Sequence, residues 1–208
     1  MPRVSPEHLA ARRQQIVDAA WRCFARQGFH ATSMQDVFAE SGLSAGAVYR
    51  YFPSKADLAR TIAQNILGGL SQRFDQITDD GHVPDPETAI RAILRFIDDL
   101  AGTGDFDRTR VALHIWAESL HDAEMQEMVQ GIAREIRGKL AQVVDAWKTT
   151  GDIAAESSSE DVAIVVYGIL IGYITQRHIV GDVDPDHYTA GLLALLGRSV
   201  PEVTGRDA

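Results

Sequence analysis

The 208-residue sequence predicts an all-α protein of about nine helices. Apolar residues recur with the 3.6-residue period of an α-helix along almost the whole chain, whereas the alternation typical of a half-buried strand is nearly absent. The segments that interrupt this pattern are rich in glycine, proline, aspartate and serine, which favour turns and helix ends. The sequence therefore predicts a chain of helices joined by short turns.

The first helix is predicted over residues 6–27. Ile16, Ala20 and Phe24 lie on one stripe of this helix, at i, i+4 and i+8, and Gly28 is placed to end it. This stripe is the expected contact between the first helix and the core.

Two short helices are predicted next. Thr32 is the expected N-cap of the second helix, with Gln35 completing a capping box, and Gly42 ends it. Ser44 caps a third helix that must end before Pro53, because proline lacks a backbone donor and disfavours helical geometry in the preceding residue.

A long fourth helix is predicted over residues 55–78, with Ser54 and Asp57 in capping-box positions. Breaks such as "AGTGD" and "GDVDPD" separate the later helices. We expect these at about 86–101, 105–120, 122–150, 160–180 and 185–198.

The charge is distributed unevenly. The net charge is −9, yet residues 1–60 contain eight Lys or Arg against five Asp or Glu, and residues 61–208 contain twelve against twenty-four. A basic segment on an acidic body is typical of a surface that binds a polyanion. No secretory leader or membrane-spanning run is recognised, and Cys23 is the only cysteine. We expect a cytoplasmic protein with no membrane partner, no cofactor and a buried thiol.

The stretch "SGLSAGAVYRYFPSK", residues 41–55, predicts a helix-turn-helix, because two short helices meet at a tight glycine turn. If Val48 and Phe52 point into the core, a rotation of about 100° per residue sends Gly46 and Arg50 outward. Such a face would enter a DNA major groove: glycine permits close approach, and arginine offers paired donors to guanine or phosphate. The alternative is a structural helical corner.

The run "TSMQDVFAESGLSAGAVYRYFPSKADL", residues 32–58, resembles the DNA-binding motif of TetR-type (TetR/AcrR) transcriptional regulators, in which Thr–Ser opens the second helix and Y-x-Y-F-x-x-K follows the recognition helix. The resemblance covers about fifty residues, and beyond them only helix count and the loose pattern "HIWAESLHDAEM" agree. It implies phosphate contacts by Thr32, Tyr49 and Lys55 and base-proximal positions for Ala45, Gly46 and Arg50. Ser33, Ser44 and Tyr51 complete the predicted DNA-binding set.

The resemblance also implies a domain organisation. Residues 1–54 would form the helix-turn-helix domain, and residues 55–208 a helical effector-binding and dimerisation domain joined to it by the long fourth helix. Two positions depart from the motif. Phe38 replaces a small residue, so the two helices pack further apart or Phe38 turns sideways, and Ala45 stands where many relatives have a polar or basic side chain.

The segment "VAIVVYGILIGYI", residues 162–174, is apolar and carries no charge. A helix of this composition is expected to be buried nearly all round, and we predict a four-helix dimer interface built from the last two helices of each subunit. The alternative is a core helix within one chain. The predicted interface residues are Gly168, Gly172, Tyr188, Leu192 and Leu195.

A small-molecule pocket is implied by the resemblance alone. Large side chains in the middle helices are candidates for its apolar walls, although rings at helical spacing also serve as ordinary core. The predicted ligand-binding residues are Phe96, Trp116, Trp147 and Tyr173, with Gln176 or Arg177 as polar groups.

His114, Glu118 and His121 lie at i, i+4 and i+7 on one face of the predicted sixth helix, and all are metal-ligand types. They leave open a helical metal-dependent enzyme, against the simpler interpretation of a solvated polar face. No Gly-rich phosphate loop, H-E-x-x-H or nucleophile elbow accompanies them. The leading expectation is therefore not an enzyme. It is a homodimeric regulator, a repressor that binds a pseudopalindromic double-stranded operator and is released by an unidentified small-molecule effector.

Overall fold

A computed structural model describes residues 5–78, 83–102 and 107–197, and all regular secondary structure in these residues is helical. The all-α prediction is confirmed, and the nine helices within the described ranges agree closely with the predicted ones. They are α1 (Pro6–Gln27), α2 (Met34–Ser41), α3 (Ala45–Tyr49), α4 (Lys55–Thr78), α5 (Pro86–Gly102), α6 (Thr109–Ser119), α7 (Ala123–Thr150), α8 (Ser159–Ile179) and α9 (Pro185–Leu195).

The cap of α2 differs from the prediction by one residue. Ser33, not Thr32, is the N-cap: its Oγ accepts from the Asp36 backbone N–H at 3.2 Å, and the Asp36 carboxylate accepts from the Ser33 N–H at 2.7 Å. The Thr32 hydroxyl is buried and donates to the Gly28 carbonyl at 2.7 Å. Because that hydroxyl is already used at the end of α1, the next residue takes over the cap.

The predicted turns are confirmed. Gly28 follows α1 with a φ of 84°, and Gly42 follows α2 in the left-handed region with a φ of 67°, where a side chain would be strained. Ser44 caps α3 by accepting from the Ala47 N–H at 3.4 Å. Gly42 and Ser44 lie between α2 and α3, so they set the angle between these two helices.

The predicted start of α6, at residue 105, lies outside the described residues. The described part of this helix begins at Thr109. The Asp107 carboxylate accepts from the Thr109 backbone N–H at 2.9 Å and from its hydroxyl at 2.6 Å, which satisfies donors of the first turn.

The chain divides into two compact units. The first comprises residues 1–74 and 99–139 and the second residues 75–98 and 140–208. The apolar core of the first unit includes Ile16, Phe24, Val48 and Leu58, so α1, α3 and α4 share it. The predicted domain boundary after residue 54 stays a prediction, since the segment 55–208 contributes to both units.

Charged side chains join α1 to α2 in the first unit. Arg22 Nε lies 2.6 Å from Glu40 Oε1, and Arg26 reaches Glu40 Oε2 at 3.2 Å. The hydrogen bond from Arg22, supported by Arg26, lowers the pKa of the Glu40 carboxyl below its ordinary value of 4.5. Glu40 therefore contributes stability above about that pH, and the contribution is lost as the pH falls through the lowered pKa.

Replacing Glu40 with Gln is expected to reduce the free energy of unfolding by about 0.5–1 kcal/mol at pH 7, because the two arginines lose their anionic partner. The difference from the wild-type protein should shrink as the pH falls and Glu40 is protonated. Urea denaturation at pH 7 and in the acid range measures both effects. Glu156→Gln, on an exposed loop residue, is the control, and an equal loss of stability in the control would contradict the assignment.

In the second unit, α8 buries one stripe and exposes another. Val166, Leu170 and Tyr173 are buried, whereas Ile164 is 45% and Val165 62% exposed. The expectation of a helix buried nearly all round is therefore wrong for the single chain. By length and composition, α8 is also apolar enough to cross a membrane, a test that apolar helices of soluble proteins pass as well.

Candidate DNA-binding surface and effector regions

The α3 helix presents the predicted face. Val48 and Phe52 are buried, whereas Gly46 and Arg50 are exposed and Tyr49 is half-exposed at their side. The rotation predicted from sequence is therefore confirmed.

Phe38 stands where the motif usually has a small residue, and the structure shows how the ring is accommodated. Its ring is half-buried and meets the Tyr49 ring edge-on, with the centroids 5.2 Å apart and an angle of 72° between the planes. Phe38 is thus turned sideways along the α2–α3 contact, and it holds the Tyr49 ring at the edge of the outward face.

The remaining predicted DNA-binding residues differ in their structural roles and in their exposure. Ser33 and Ser44 cap helices, and Ala45 is exposed at the start of α3. Tyr51 is half-buried against the core of the first unit. Thr32 is 1% exposed, its hydroxyl donates to the Gly28 carbonyl and its own carbonyl accepts from Lys55, so the structure does not support the predicted phosphate contact by Thr32.

Most of the basic side chains near the helix-turn-helix have partners within the chain. Besides Arg22 and Arg26, Arg13 donates to the Thr61 hydroxyl at 3.1 Å, and Arg60 pairs with Asp57 at 2.8 Å. Arg50 differs: within residues 5–78, 83–102 and 107–197 no hydrogen bond or ion pair to its side chain is found. The positive charge count of the N-terminal segment thus overstates the number of side-chain cations without a partner in the chain, and Arg50 remains exposed.

Lys55 was predicted to contact phosphate, but its ammonium group points into the protein. Nζ donates to the carbonyls of Phe29 at 2.8 Å, His30 at 3.2 Å and Thr32 at 2.8 Å. It also lies 4.4 Å from the centroid of the Phe29 ring. Burial lowers the pKa of Lys55, and the nearby Glu118 carboxylate opposes this effect.

The predicted dimer residues fall into two groups. Gly168 is exposed on α8, and Leu195 is 87% exposed on α9. Gly172 instead faces Tyr188 within the chain: a Cβ at Gly172 would lie 2.9 Å from the Tyr188 hydroxyl, which donates to the Ile169 carbonyl. Leu192 is half-buried. Gly172 therefore permits α8 and α9 of one chain to approach.

Three of the predicted ligand residues are held by contacts within the second unit. Trp147 is buried, and its indole N–H donates to the Pro84 carbonyl at 2.7 Å. The Tyr173 hydroxyl and Arg177 Nε both donate to Asp98 Oδ1, at 3.1 and 2.8 Å. Burial, reinforced by the Asp98 charge, raises the pKa of Tyr173.

The other predicted ligand residues differ in burial and in the unit to which they belong. Phe96 is half-buried and Gln176 exposed in the second unit, whereas the half-buried Trp116 belongs to the first. Their role in binding an effector stays a prediction.

A cleft that sequence reasoning missed lies between α4 and α7 in the first unit. Its volume is about 520 Å³, which is within the range of small-molecule sites. Glutamates dominate its polar lining, and its apolar lining comes from α7. The lining residues are Arg60, Gln64, Glu124, Glu127, Met128, Gly131, Ile132 and Glu135.

The metal-site alternative finds no support. Glu118 pairs with His30 at 3.5 Å, and the exposed His114 ring packs against Gly28, 3.2 Å from where a Cβ would stand. Across the described parts of the chain, no three His, Cys, Asp or Glu side chains are close enough to hold a metal ion. His121 is simply exposed.

Two short helices, α2 and α3, are joined by a glycine turn, and α3 faces outward. This arrangement defines a helix-turn-helix protein. Two family models match the chain: "Bacterial regulatory proteins, tetR family" over residues 16–62, and "BetI-type transcriptional repressor, C-terminal" over residues 86–200, more than half of the sequence. The chain belongs to the TetR family of bacterial transcriptional regulators.

Individual relatives agree with this assignment. The chain is 40% identical over 75 residues to the uncharacterised HTH-type regulator YfiR of Bacillus subtilis, a match that spans 36% of this chain and 37% of that protein. It is 25% identical over 147 residues to BetI of Yersinia pestis, spanning 67% and 69%. A Saccharomonospora viridis regulator solved in complex with choline shares the fold, with a TM-score of 0.71 and 19% identity over 92% and 98% of the two chains.

Proposed function

We propose that this protein is a ligand-responsive transcriptional repressor, not an enzyme, that binds operator DNA as a homodimer. The observation that carries the proposal is the α3 face, where Gly46 and Arg50 are exposed above a core closed by Val48 and Phe52. Base edges in the major groove are read by side chains on such a face, and arginine is the commonest reader of guanine. Membership of the TetR family supports the same function.

Dimerisation is proposed through α8 and α9. Ile164, Val165 and Leu195 are exposed apolar residues on these two helices of the second unit. Exposed apolar side chains of this kind are typical of interaction sites, and a second copy of the chain would cover them. A dimer would present two α3 helices to two half-sites one helical turn apart or a multiple of it.

Effector binding is proposed to weaken DNA binding by displacing α4, which begins directly after the helix-turn-helix. The cleft beside Arg60 and Gln64 offers a small molecule direct contact with α4. A coupling of about 1–3 kcal/mol between the two sites would change operator affinity by one to two orders of magnitude.

Selection of genomic fragments by the purified protein tests the proposal. We expect enrichment of a short pseudopalindromic site, bound with a stoichiometry of one dimer. The site then serves to screen metabolites for release of the protein. Failure to enrich any fragment at low ionic strength would contradict the proposed function.

Replacing Gly46 with Ala is expected to weaken DNA binding without lowering the stability of the fold. A Cβ at Gly46 meets no atom within 4 Å, so the fold should gain up to about 1 kcal/mol from helix propensity. The same methyl group would hold the α3 backbone away from the groove and weaken operator binding. Urea denaturation and DNA titration measure the two effects. Unchanged operator affinity would show that the α3 backbone does not approach DNA.

A further inference from the structure

Lys55 uses its whole hydrogen-bonding capacity inside the protein. An ammonium group has three N–H donors, and three carbonyl oxygens, of Phe29, His30 and Thr32, accept from Nζ. Among the described hydrogen bonds of the chain, these three carbonyls accept from Lys55 alone. A phosphate contact would require the ammonium group to leave them without a donor.

The three carbonyls belong to the loop between α1 and α2, residues 28–32. This loop ends at Ser33, the cap of α2 and a predicted DNA-binding residue. It is also approached from α6, where Glu118 pairs with His30 and the His114 ring packs on Gly28. The N-terminus of α4 therefore fixes a loop whose position determines where α2 begins.

We propose that Lys55 is a positioning residue for the DNA-binding surface and not a phosphate ligand. Its ammonium group holds the loop at residues 28–32 against α4, and the loop in turn places Ser33 and the N-terminus of α2. The proposal rests on the proposed function, since the surface being positioned is the one that would bind operator DNA.

Two substitutions separate positioning from phosphate contact. Lys55→Arg keeps the charge, and arginine binds phosphate at least as well as lysine, but its planar fork does not match three carbonyls that converge on one point. Lys55→Met removes the charge and keeps the length of the apolar stem. We expect both variants to lose about tenfold or more in operator affinity, with the same dependence of log K on log salt as the wild-type protein.

The free protein provides a test that requires no DNA. Amide hydrogen exchange over residues 29–33 is expected to be about tenfold faster in both Lys55 variants, because the loop loses charge-assisted hydrogen bonds. Arg50→Met is the matched control, since it removes an exposed cation of the same surface, and it should leave exchange in the loop unchanged. Thermal unfolding and titration of the DNA-binding fraction confirm that each variant is folded.

The outcomes are distinct. If Lys55→Arg keeps wild-type affinity and loop protection while Lys55→Met lowers the salt slope by about 0.9, Lys55 is a phosphate ligand and the proposal is overturned. If the wild-type protein selects no DNA, the proposed function fails, yet loop exchange still decides whether Lys55 holds the loop. Should Lys55→Met not fold, Lys55→Arg decides alone.

Discussion

Replacing Val165 with Asp is expected to convert the proposed dimer into monomers and to weaken operator binding by two orders of magnitude or more. Val165 is 62% exposed in the single chain, on the α8 stripe that also carries Ile164 and Gly168. In a two-fold symmetric interface each copy contributes the same residue, so one substitution places two carboxylates in the desolvated interface. Burying these unpaired charges is strongly unfavourable. Each monomer then holds a single half-site and loses the avidity of the pair.

Sedimentation velocity and titration of the selected operator measure the two consequences of Val165→Asp. The matched control is Leu120→Asp, which makes the same kind of change at an apolar side chain that is 76% exposed on the first unit. The control should remain dimeric and bind the operator normally. A Val165→Asp protein that stays dimeric, or a wild-type protein that is monomeric at working concentrations, would remove α8 from the interface.

The local structure of the helix-turn-helix could be predicted because local chemistry decides it. Gly28 and Gly42 end helices with positive φ angles, which glycine adopts without strain, and Ser44 caps α3 as expected. The burial of Val48 and Phe52 follows from helix geometry once the ends of α3 are known. The cap of α2 was misplaced by one residue, because the Thr32 hydroxyl is taken by Gly28, a contact that spacing alone does not reveal.

Contacts between distant segments could not be predicted in this way. Lys55 lies 23 or more residues from the carbonyls it binds, and nothing in the sequence distinguishes an ammonium that faces phosphate from one that faces a loop. Gly172 illustrates the same limit. Its small size predicted a close approach of helices, and the structure provides one, but with Tyr188 of the same chain.

The proposed effector region was the least predictable part of the chain. Aromatic residues were expected to line a pocket, yet the polar atoms of Trp147 and Tyr173 have partners in the chain, as buried indole and phenol groups normally do. The cleft between α4 and α7 is lined instead by charged and flexible side chains. Residues of these types usually cover the outside of helices, so their sequence pattern does not separate a cleft from a solvated face.

Replacing Arg50 with Ala is expected to cost about 1–3 kcal/mol in operator binding and to relax the sequence preference at one base pair of each half-site. Arg50 directly follows α3, its side chain is exposed, and the fold makes no described use of its guanidinium. The substitution should therefore leave the free energy of unfolding unchanged within about 0.5 kcal/mol. Titrations of the operator, of single-base variants and of unrelated DNA give the affinity and the preference together.

Arg134→Ala is the matched control, because it removes the same charge from an exposed position on α7, outside the helix-turn-helix. If Arg50 acted only through long-range attraction, both substitutions would weaken operator and unrelated DNA by similar small factors, because attraction beyond about 10 Å is largely screened at moderate salt. A base contact predicts a different result: Arg50→Ala lowers operator binding far more than binding to unrelated DNA, whereas Arg134→Ala changes neither. Equal losses on both kinds of DNA would place Arg50 on the phosphate backbone and leave recognition to the shape of the duplex.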